Sequence, residues 1–233
     1  MARWHAKFEE KFRQTPFTFS QLVGSFNGSN TNLAVILSRL RQKKMVIRIR
    51  DTKPKQYIVL PIEFSQFYVI DEVLGGLVAE IKQERFVPIV TSLWQTVRQT
   101  DAFSTWSVGI FGSAVRGDAT ATSDLDVLVL AQNLPKNVLE RCKLIMPIEL
   151  ALESYLNLLG MDVEFLVLRP EELSFESGFV LDIFEWLRPV LDPGQHFQTI
   201  SDKLADDSRS FNWKKIDLSN ADYFWLRRER IVV

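Results

Sequence analysis

The sequence predicts an α+β fold, in which a small mixed sheet flanked by helices follows an N-terminal module of helices and a β-hairpin. Between residues 106 and 168, apolar runs typical of buried strands alternate with helical patterns, as expected of a sheet layered with helices. Nearer the N-terminus, a helical period of apolar residues gives way to the strict alternation of a hairpin. The composition, 46% hydrophobic and 24% charged residues, is that of an ordinary soluble globular protein.

Three helices are predicted at the start of the chain. Residues 5–14 read as a short charged helix, and a second helix begins near Ser20, a candidate N-cap. The third extends from about Thr31 to Lys44. Its apolar residues recur at helical spacing and form one stripe, which consists of Leu33, Ile36, Leu37 and Leu40.

A hairpin follows the third helix, because residues 45–50 and 56–60 alternate as strands around a turn at residues 51–55. This order of elements over residues 1–61 resembles winged helix-turn-helix transcription regulators. The resemblance implies that the start of the third helix faces DNA bases and that basic side chains meet phosphates. Winged helices also dock proteins, so double-stranded DNA and a protein are alternative partners.

The same segment carries a basic block. Between residues 30 and 60 there are eight basic residues and one acid, whereas the whole chain has a net charge of -1. A local excess of this kind indicates a polyanion-binding face, and the alternative is a solvated basic surface. The candidate nucleic-acid contacts are Asn30, Thr31, Asn32, Arg39, Arg41, Lys43, Lys44, Arg48, Arg50, Lys53 and Lys55.

A second domain is predicted over residues 62–200, with a C-terminal extension over residues 201–233. Helices are expected at residues 71–83, 88–100 and 136–159, and strands at residues 106–111, 126–130 and 162–168. The interleaving of these strands with helices favours one sheet rather than separate hairpins.

Several functional classes are disfavoured. No apolar run approaches the ~20 residues of a membrane span, and the N-terminus lacks the apolar core of a signal peptide. The single cysteine, Cys142, allows no internal disulfide, which predicts a reducing, cytoplasmic location. The two histidines, His5 and His196, are far apart in the sequence. Chemistry in this chain is therefore expected to depend on carboxylates.

The most informative segment is residues 109–130, which read GIFGSAVRGDATATSDLDVLVL. An apolar strand leads into Gly112-Ser113, a turn contains Arg116, and Ser123-Asp124-Leu125-Asp126 opens a second apolar strand. This arrangement resembles the active-site signature of the DNA polymerase β-like nucleotidyltransferase superfamily, in its minimal nucleotidyltransferase form. The resemblance implies that Gly112, Ser113, Arg116 and Ser123 bind the nucleotide.

The acid pair has a physical reason of its own. Residues two apart in a strand point to the same side, so Asp124 and Asp126 project together. Two carboxylates this close repel by a few kcal/mol at an effective dielectric of about 20. A bound divalent cation, Mg²⁺ or Mn²⁺, would reverse that repulsion, since Mg²⁺ takes one or two carboxylates together with phosphates and water. The pair is therefore a candidate metal site.

The family also has a third acid on a later strand. Asp162 and Glu164 share one face of the predicted strand at residues 162–168, so either could complete the metal site. Glu164 is favoured, because the family acid is commonly followed by two apolar residues, here Phe165 and Leu166. The family more often uses Asp at this position.

The resemblance implies transfer of a nucleoside monophosphate from an NTP, with ATP as the first candidate, to a hydroxyl of unidentified acceptor. Asp124, Asp126 and Glu164 are the implied catalytic residues. One alternative is a DNA-binding regulator whose nucleotidyltransferase-like domain senses a nucleotide. Another is the antitoxin half of a toxin–antitoxin pair that nucleotidylates its partner protein. The intact acid pair favours an active enzyme over the sensor.

Overall fold

The computed structural model describes residues 1–13, 15–26, 28–50, 53–173, 178–210, 213–217 and 223–227. The chain forms two compact units, Met1–Gln95 with Ala151–Met161, and Thr96–Leu150 with Asp162–Val233. The domain boundaries expected after residues 61 and 200 stay a prediction, since compactness alone does not define a sequence domain. Within the described ranges, no helix has both the length and the apolarity needed to cross a bilayer.

The first unit begins with the helices and the hairpin that the sequence predicts. The elements are α1 (Ala2–Phe12), β1 (Phe17–Thr18), α2 (Phe19–Ser25), α3 (Asn30–Gln42), β2 (Val46–Arg50), β3 (Gln56–Val59), α4 (Ile62–Ile70), α5 (Glu72–Glu80) and α6 (Val87–Gln99). The three strands form an antiparallel sheet in the order β1-β3-β2. Residues 51 and 52, in the expected hairpin turn, lie outside the described residues.

The core of this N-terminal module is built from the face that the leucine spacing of α3 predicts. Leu33, Leu37 and Leu40 are buried against Phe8 and Val46. Edge-to-face and stacked ring pairs, which prefer these offset geometries, add to the cluster on the side of α1. The stripe on α3 therefore faces the core, and the opposite face of the helix is left to solvent.

Two details of the first unit differ from the sequence prediction. The N-cap of α2 is Thr18 rather than Ser20, because the Thr18 hydroxyl accepts a hydrogen bond from the Gln21 N–H and the Gln21 side chain reaches back to the Thr18 N–H, which is a capping box. Helix α4 was not predicted. Its sequence, IEFSQFYVI, is apolar on every side and so lacks the period that identifies a surface helix.

The second unit contains the three strands expected from the apolar runs and several elements that were not predicted. Its elements are β4 (Ser107–Phe111), α7 (Ser113–Arg116), β5 (Leu125–Leu130), α8 (Val138–Leu159, which also contributes residues to the first unit), β6 (Val163–Leu168), α9 (Gly178–Trp186), β7 (Arg188–Leu191), α10 (His196–Ser210), β8 (Trp213–Asp217) and β9 (Tyr223–Arg227). The predicted C-terminal extension thus holds the end of α10 and a β8–β9 hairpin.

A mixed four-stranded sheet is the centre of this unit, in the order β6-β5-β4-β7. β5 pairs antiparallel with β4 and parallel with β6. Because side chains alternate along a strand, Asp126, Leu128 and Leu130 share one face of β5. Leu128 and Leu130 are buried in one cluster with residues of α9 and α10. The face that carries Asp126 is therefore the face that these two helices cover.

Close packing of this layer depends on Gly109 in the middle of β4. A Cβ at Gly109 would lie 2.8 Å from Leu187 Cδ1, 3.1 Å from Phe197 Cε2 and 3.2 Å from the Arg188 carbonyl oxygen. Any larger residue would push these side chains away from the strand. Gly109, the first residue of the segment 109–130, thus serves packing rather than chemistry.

A buried arginine ties the start of α8 to the chain that leaves β6. Arg141 is 7% exposed, and its two terminal nitrogens each donate to one oxygen of Glu172 at 2.7 Å. Arg141 also donates to the carbonyl oxygens of Pro135 and Val167. Hydrogen bonds from Arg141 and Arg169 hold the pKa of Glu172 far below its ordinary value. The network is charge-assisted and bidentate, which is the strong form of such contacts.

Replacing Glu172 with Gln is expected to lower the free energy of unfolding by about 2–3 kcal/mol at pH 7, because Arg141 loses its counter-charge while it stays buried. The folded-state pKa of Glu172 is depressed, so its contribution is present above the unfolded value of about 4.3 and is lost as the pH falls below it. Urea unfolding at pH 7 and pH 3 tests this prediction. The matched control is Glu171→Gln, whose side chain is 63% exposed; an equal loss in both variants would contradict the assignment.

Candidate active site

The backbone at Gly112 is shaped to receive the carboxylate of Asp126. Gly112 follows β4 and has φ 71° and ψ -153°, a conformation that L-residues rarely adopt. A Cβ at this position would overlap Oδ2 of Asp126. Phe111, one residue earlier, is the register partner of Asp126 across β4 and β5. The glycine thus allows the carboxylate to lie against the main chain where the strand ends.

Pairing of β5 with β6 places Glu164 beside Asp126. The two residues are direct register partners in this parallel pair, so their side chains leave the same face of the sheet. Asp162 precedes β6, and its carbonyl oxygen accepts a hydrogen bond from the Leu125 N–H. Asp124, Asp162 and Glu164 are exposed, whereas Asp126 is half-buried.

The charges that act on Asp126 come from its neighbours in this region. Burial raises the pKa of Asp126 to about 6, and the negative charges of Glu164 and then Asp124 add to the rise, while the positive charge of Arg116 opposes it. Glu164 is the larger of the two acidic contributions, and Asp162 is not among the causes. Strand register, together with these charge effects, places Glu164 beside the half-buried Asp126.

The turn between β4 and β5 supplies the cation of the site. Helix α7 is a single turn whose last residue is Arg116. The Nε atom of Arg116 donates to Oδ2 of Asp118 at 3.0 Å. Ser113, the first residue of α7, is half-buried. The Ser123 hydroxyl accepts the Thr120 N–H at 2.8 Å and closes the loop before Asp124, and its contact with the nucleotide stays a prediction.

The donor atoms of this site fit a hard divalent cation. Within the part of the chain that the structure describes, no three Asp, Glu, His or Cys side chains converge closely enough to hold a metal ion by themselves. The carboxylates nevertheless influence one another, and all of them offer oxygen. This is the arrangement that Mg²⁺ accepts, because it takes one or two carboxylates and fills its shell with water and substrate phosphates.

Asp182 on α9 is a charged residue near the site that the sequence did not reveal. Burial raises the pKa of Asp182, and the positive charge of Arg116 opposes the rise, as it does for Asp126. Asp182 is far from residues 109–130 in the sequence and belongs to no motif. The apolar pattern of α9, which gives buried residues at 180, 181 and 183, was the one signal that a helix covers this region.

Some residues of the basic block in the first unit form hydrogen bonds or ion pairs within the protein, and others are exposed to solvent. Arg41 donates to Glu84 through Nη2 at 2.8 Å and Nε at 3.4 Å, and Lys44 Nζ lies 3.9 Å from the same carboxylate. The Arg48 N–H also donates to Glu84. The exposed members of the block are Asn30, Thr31, Asn32, Arg39, Lys43, Arg50, Lys53 and Lys55.

Comparisons with known proteins find similarity to a family model, to a curated relative and to a solved structure. A family model described as "Nucleotidyltransferase domain" matches residues 90–187. A protein of Methanocaldococcus jannaschii, "Putative protein adenylyltransferase MJ1305", is 37% identical over 71 residues. The match covers 30% of this chain and 46% of that relative, so it spans less than half of the relative's length. The solved structure "Crystal structure of the toxin-antitoxin with AMP-PNP" is similar over 52% of this chain and 87% of that chain, with a TM-score of 0.37 and 16% identity.

The residues that the family model matches contain β4, α7, β5 and β6, and thus the glycine turn and all three acids of the site. Residues 90–187 are therefore similar to a nucleotidyltransferase domain.

Proposed function

We propose that this chain is a metal-dependent nucleotidyltransferase that moves a nucleoside monophosphate from an NTP, with ATP as the first candidate, to a hydroxyl group of a protein. The observation that carries the proposal is the close approach of the Asp126 carboxylate to the Gly112 backbone. Asp126 is also the register partner of Glu164, and the charge of Arg116 acts on it. A structural role does not explain why three acids lie at the starts of the neighbouring strands β5 and β6, since their mutual repulsion is unfavourable without a counter-charge.

Asp124, Asp126 and Glu164 are the residues that would hold Mg²⁺ or Mn²⁺. When bound, the ion neutralises charge on the triphosphate and on the attacking and leaving oxygens. The turn that precedes Asp124 contains an ion pair between Arg116 and Asp118.

Each protein group then has a defined task. Ser113 and Arg116 hold the oxygens of the triphosphate, for which a guanidinium is well suited because it presents several N–H donors in a fixed plane. The acceptor oxygen forms a bond to the α-phosphorus as the bond from that phosphorus to the bridging oxygen breaks, and pyrophosphate leaves. Glu164 takes the proton of the acceptor hydroxyl.

A protein hydroxyl is proposed as the acceptor because the 37%-identical relative carries the name protein adenylyltransferase. The test is incubation of the full chain with cell extract, Mg²⁺ and ATP labelled in either the α- or the γ-phosphate. Transfer of the α label alone, to a protein band, is the expected result. Transfer of the γ label would indicate a kinase, and label in nucleic acid alone would overturn the protein acceptor.

The two candidates for the third acid are expected to differ in their effect on turnover. Glu164→Gln should lower turnover by at least about tenfold more than Asp162→Asn, because Glu164 is the register partner of Asp126 whereas Asp162 precedes the strand. Both substitutions remove one exposed charge and keep the size of the side chain. Initial rates of label transfer by the two variants measure the difference, and a larger loss in Asp162→Asn would reverse the assignment.

We further propose that residues 1–61 are a winged helix that contacts double-stranded DNA. What supports this is the order of helices and strands, with β1 at the edge of the hairpin sheet, and the exposure of Asn30, Thr31 and Asn32 at the start of α3. In winged-helix regulators these positions face the bases. Arg41 and Lys44 contact Glu84, so the phosphate contacts are assigned to the other basic residues of the block.

Neutralising Arg39, Lys43, Arg48 and Lys53 together should flatten the salt dependence of DNA binding. Each lost phosphate contact removes up to about 0.9 from the log–log slope, so the four changes remove at most roughly 3.6. Fluorescence titration of a duplex at several salt concentrations measures the slope. A control with Arg3, Lys7 and Lys11 of α1 and the adjacent Arg13 neutralised loses the same charge. Equal slopes in the two variants, or no binding at low salt, would favour docking to a protein instead.

A further inference from the structure

Glu84 is an acid from outside residues 1–61 that contacts the basic block. It begins a short 3-10 helix, Glu84–Phe86, whose last residue is fully buried. The side chain of Glu84 is itself only 18% exposed. Its carboxylate reaches both α3 and β2, which are the recognition helix and a wing strand if residues 1–61 are a winged helix.

Three groups of α3 and β2 hold the Glu84 carboxylate. Arg41, in the last turn of α3, donates through Nη2 to Oε1 at 2.8 Å and through Nε to Oε2 at 3.4 Å. The Arg48 N–H donates to Oε2 at 2.7 Å. The Nζ atom of Lys44, just after α3, lies 3.9 Å from Oε1. Both carboxylate oxygens are therefore engaged, and one negative charge serves two positive ones.

A second contact holds the guanidinium of Arg41. Its Cζ atom lies 5.8 Å from the centre of the Tyr57 ring, a distance at which an aromatic face attracts a cation. Tyr57 belongs to the core of the N-terminal module. Arg41 and Lys44 are accordingly half-buried, whereas Arg39 and Lys43 on the same segment are exposed. The end of α3 thus carries two basic residues with partners inside the protein and two that face solvent.

A carboxylate competes directly with a DNA phosphate for such basic groups. Arginine binds both anions through the same N–H groups and in the same paired geometry. A phosphate at Arg41 would have to displace Glu84 and leave two negative groups close together, which is unfavourable. Phosphate contacts supply affinity without sequence information, and base contacts supply specificity. An internal acid at this position therefore reduces the contacts that carry no sequence information.

We propose that Glu84 withholds Arg41 and Lys44 from DNA phosphates and thereby limits the sequence-independent part of DNA binding. The inference rests on the proposed contact of residues 1–61 with DNA. In this role the Glu84 side chain takes the place of a phosphate at the end of α3. Binding then depends more on the exposed residues at the start of that helix.

The test is fluorescence titration of the full-length protein with a duplex of random sequence at several salt concentrations. Glu84→Gln should steepen the log–log slope by up to about 1.8, because two phosphate contacts become available at about 0.9 each, and should tighten binding at low salt at least about threefold. Gln keeps an oxygen that can accept the Arg48 N–H, and thermal unfolding verifies the fold. Glu72→Gln, at an exposed acid of α5, is the matched control and should keep the wild-type slope.

A double variant assigns the added contacts to particular residues. In the Glu84→Gln background, Arg41→Gln should remove about half of the added slope. If Glu84→Gln does not fold, two single variants give the same answer with Glu84 intact. Arg39→Gln should then lower the slope by up to about 0.9, and Arg41→Gln by less than half as much.

An unchanged slope in Glu84→Gln, an equal steepening in Glu72→Gln, or equal losses in Arg39→Gln and Arg41→Gln would overturn the inference and leave the proposed DNA contact intact. Absence of any duplex binding by the wild-type protein at low salt would overturn the proposed DNA contact, and this inference with it.

Discussion

Replacing Asp126 with Asn is expected to lower nucleotidyl transfer at least about a hundredfold and to leave the fold intact. Asn keeps the size of the side chain, so it can occupy the same seat on Gly112. It loses the negative charge that a divalent ion needs, and stabilisation of the transition state by such an ion is worth several kcal/mol. Label transfer from α-labelled ATP measures the loss, and circular dichroism checks the fold.

Although Asp126→Asn should lower activity, it should raise the stability of the metal-free protein. The pKa of Asp126 is raised to about 6, so the folded protein binds the proton more tightly than the unfolded chain. The stability linked to this proton is fully present below the unfolded pKa of about 4 and is lost as the pH rises through about 6. At pH 8, Asp126→Asn without metal should therefore be more stable than wild type, by on the order of 1 kcal/mol after solvent screening.

Urea unfolding at pH 4 and pH 8 tests this sign. The wild type and the variant should be closer in stability at pH 4 than at pH 8. If Asp126→Asn were less stable than the wild type at pH 8, the carboxylate would be satisfied by contacts within the fold. The proposed need for a counter-ion would then lose its basis.

Gly112→Ala is expected to abolish measurable transfer and to destabilise the protein. An alanine must adopt a positive φ of 71°, a strained conformation that costs on the order of 1–3 kcal/mol. Its methyl group would also displace the carboxyl group of Asp126, which has to turn away from the site. Activity should therefore fall by at least about a hundredfold even where the variant is folded.

Gly76→Ala is the matched control, because Gly76 lies inside α5 and a Cβ there meets nothing within 4 Å. Alanine is the better helix former by about 1 kcal/mol, so this variant should be slightly more stable and fully active. Rates of label transfer and urea unfolding of both variants test these expectations for activity and stability. Activity retained by Gly112→Ala would mean that catalysis does not require the Asp126 carboxylate to lie against the Gly112 backbone.

Much of the site was predictable because it is encoded locally. The strand that ends at Gly112 and the strand that contains Asp126 are consecutive, and both are apolar runs bounded by turn residues. The acid pair followed from the period of two in a strand. Glu164 required only that β6 lie parallel to β5, where their register brings it next to Asp126.

What the sequence did not reveal depends on contacts between distant segments. The packing of α9 against Leu128 and Leu130 of β5 is one such contact, and no spacing in the chain indicates it. The engagement of Arg41 by Glu84, 43 residues further along the chain, was hidden for the same reason. A count of charges in the sequence treats every basic residue of a block as exposed. Only the tertiary structure shows which of these residues form ion pairs within the protein.

The central claim is that Asp124 and Asp126 together make NTP binding depend on a divalent ion, and calorimetry tests it most directly. Wild-type protein is titrated with ATP with and without Mg²⁺, beside the double variant Asp124→Asn, Asp126→Asn. A control variant with Glu149→Gln and Glu153→Gln on α8, where both side chains are exposed, loses the same charge elsewhere. We expect Mg²⁺ to strengthen ATP binding by the wild type and the control at least about tenfold, and to have little effect on the double variant. Equal Mg²⁺-assisted binding by the wild type and the double variant would contradict the account and show that the acid pair is structural.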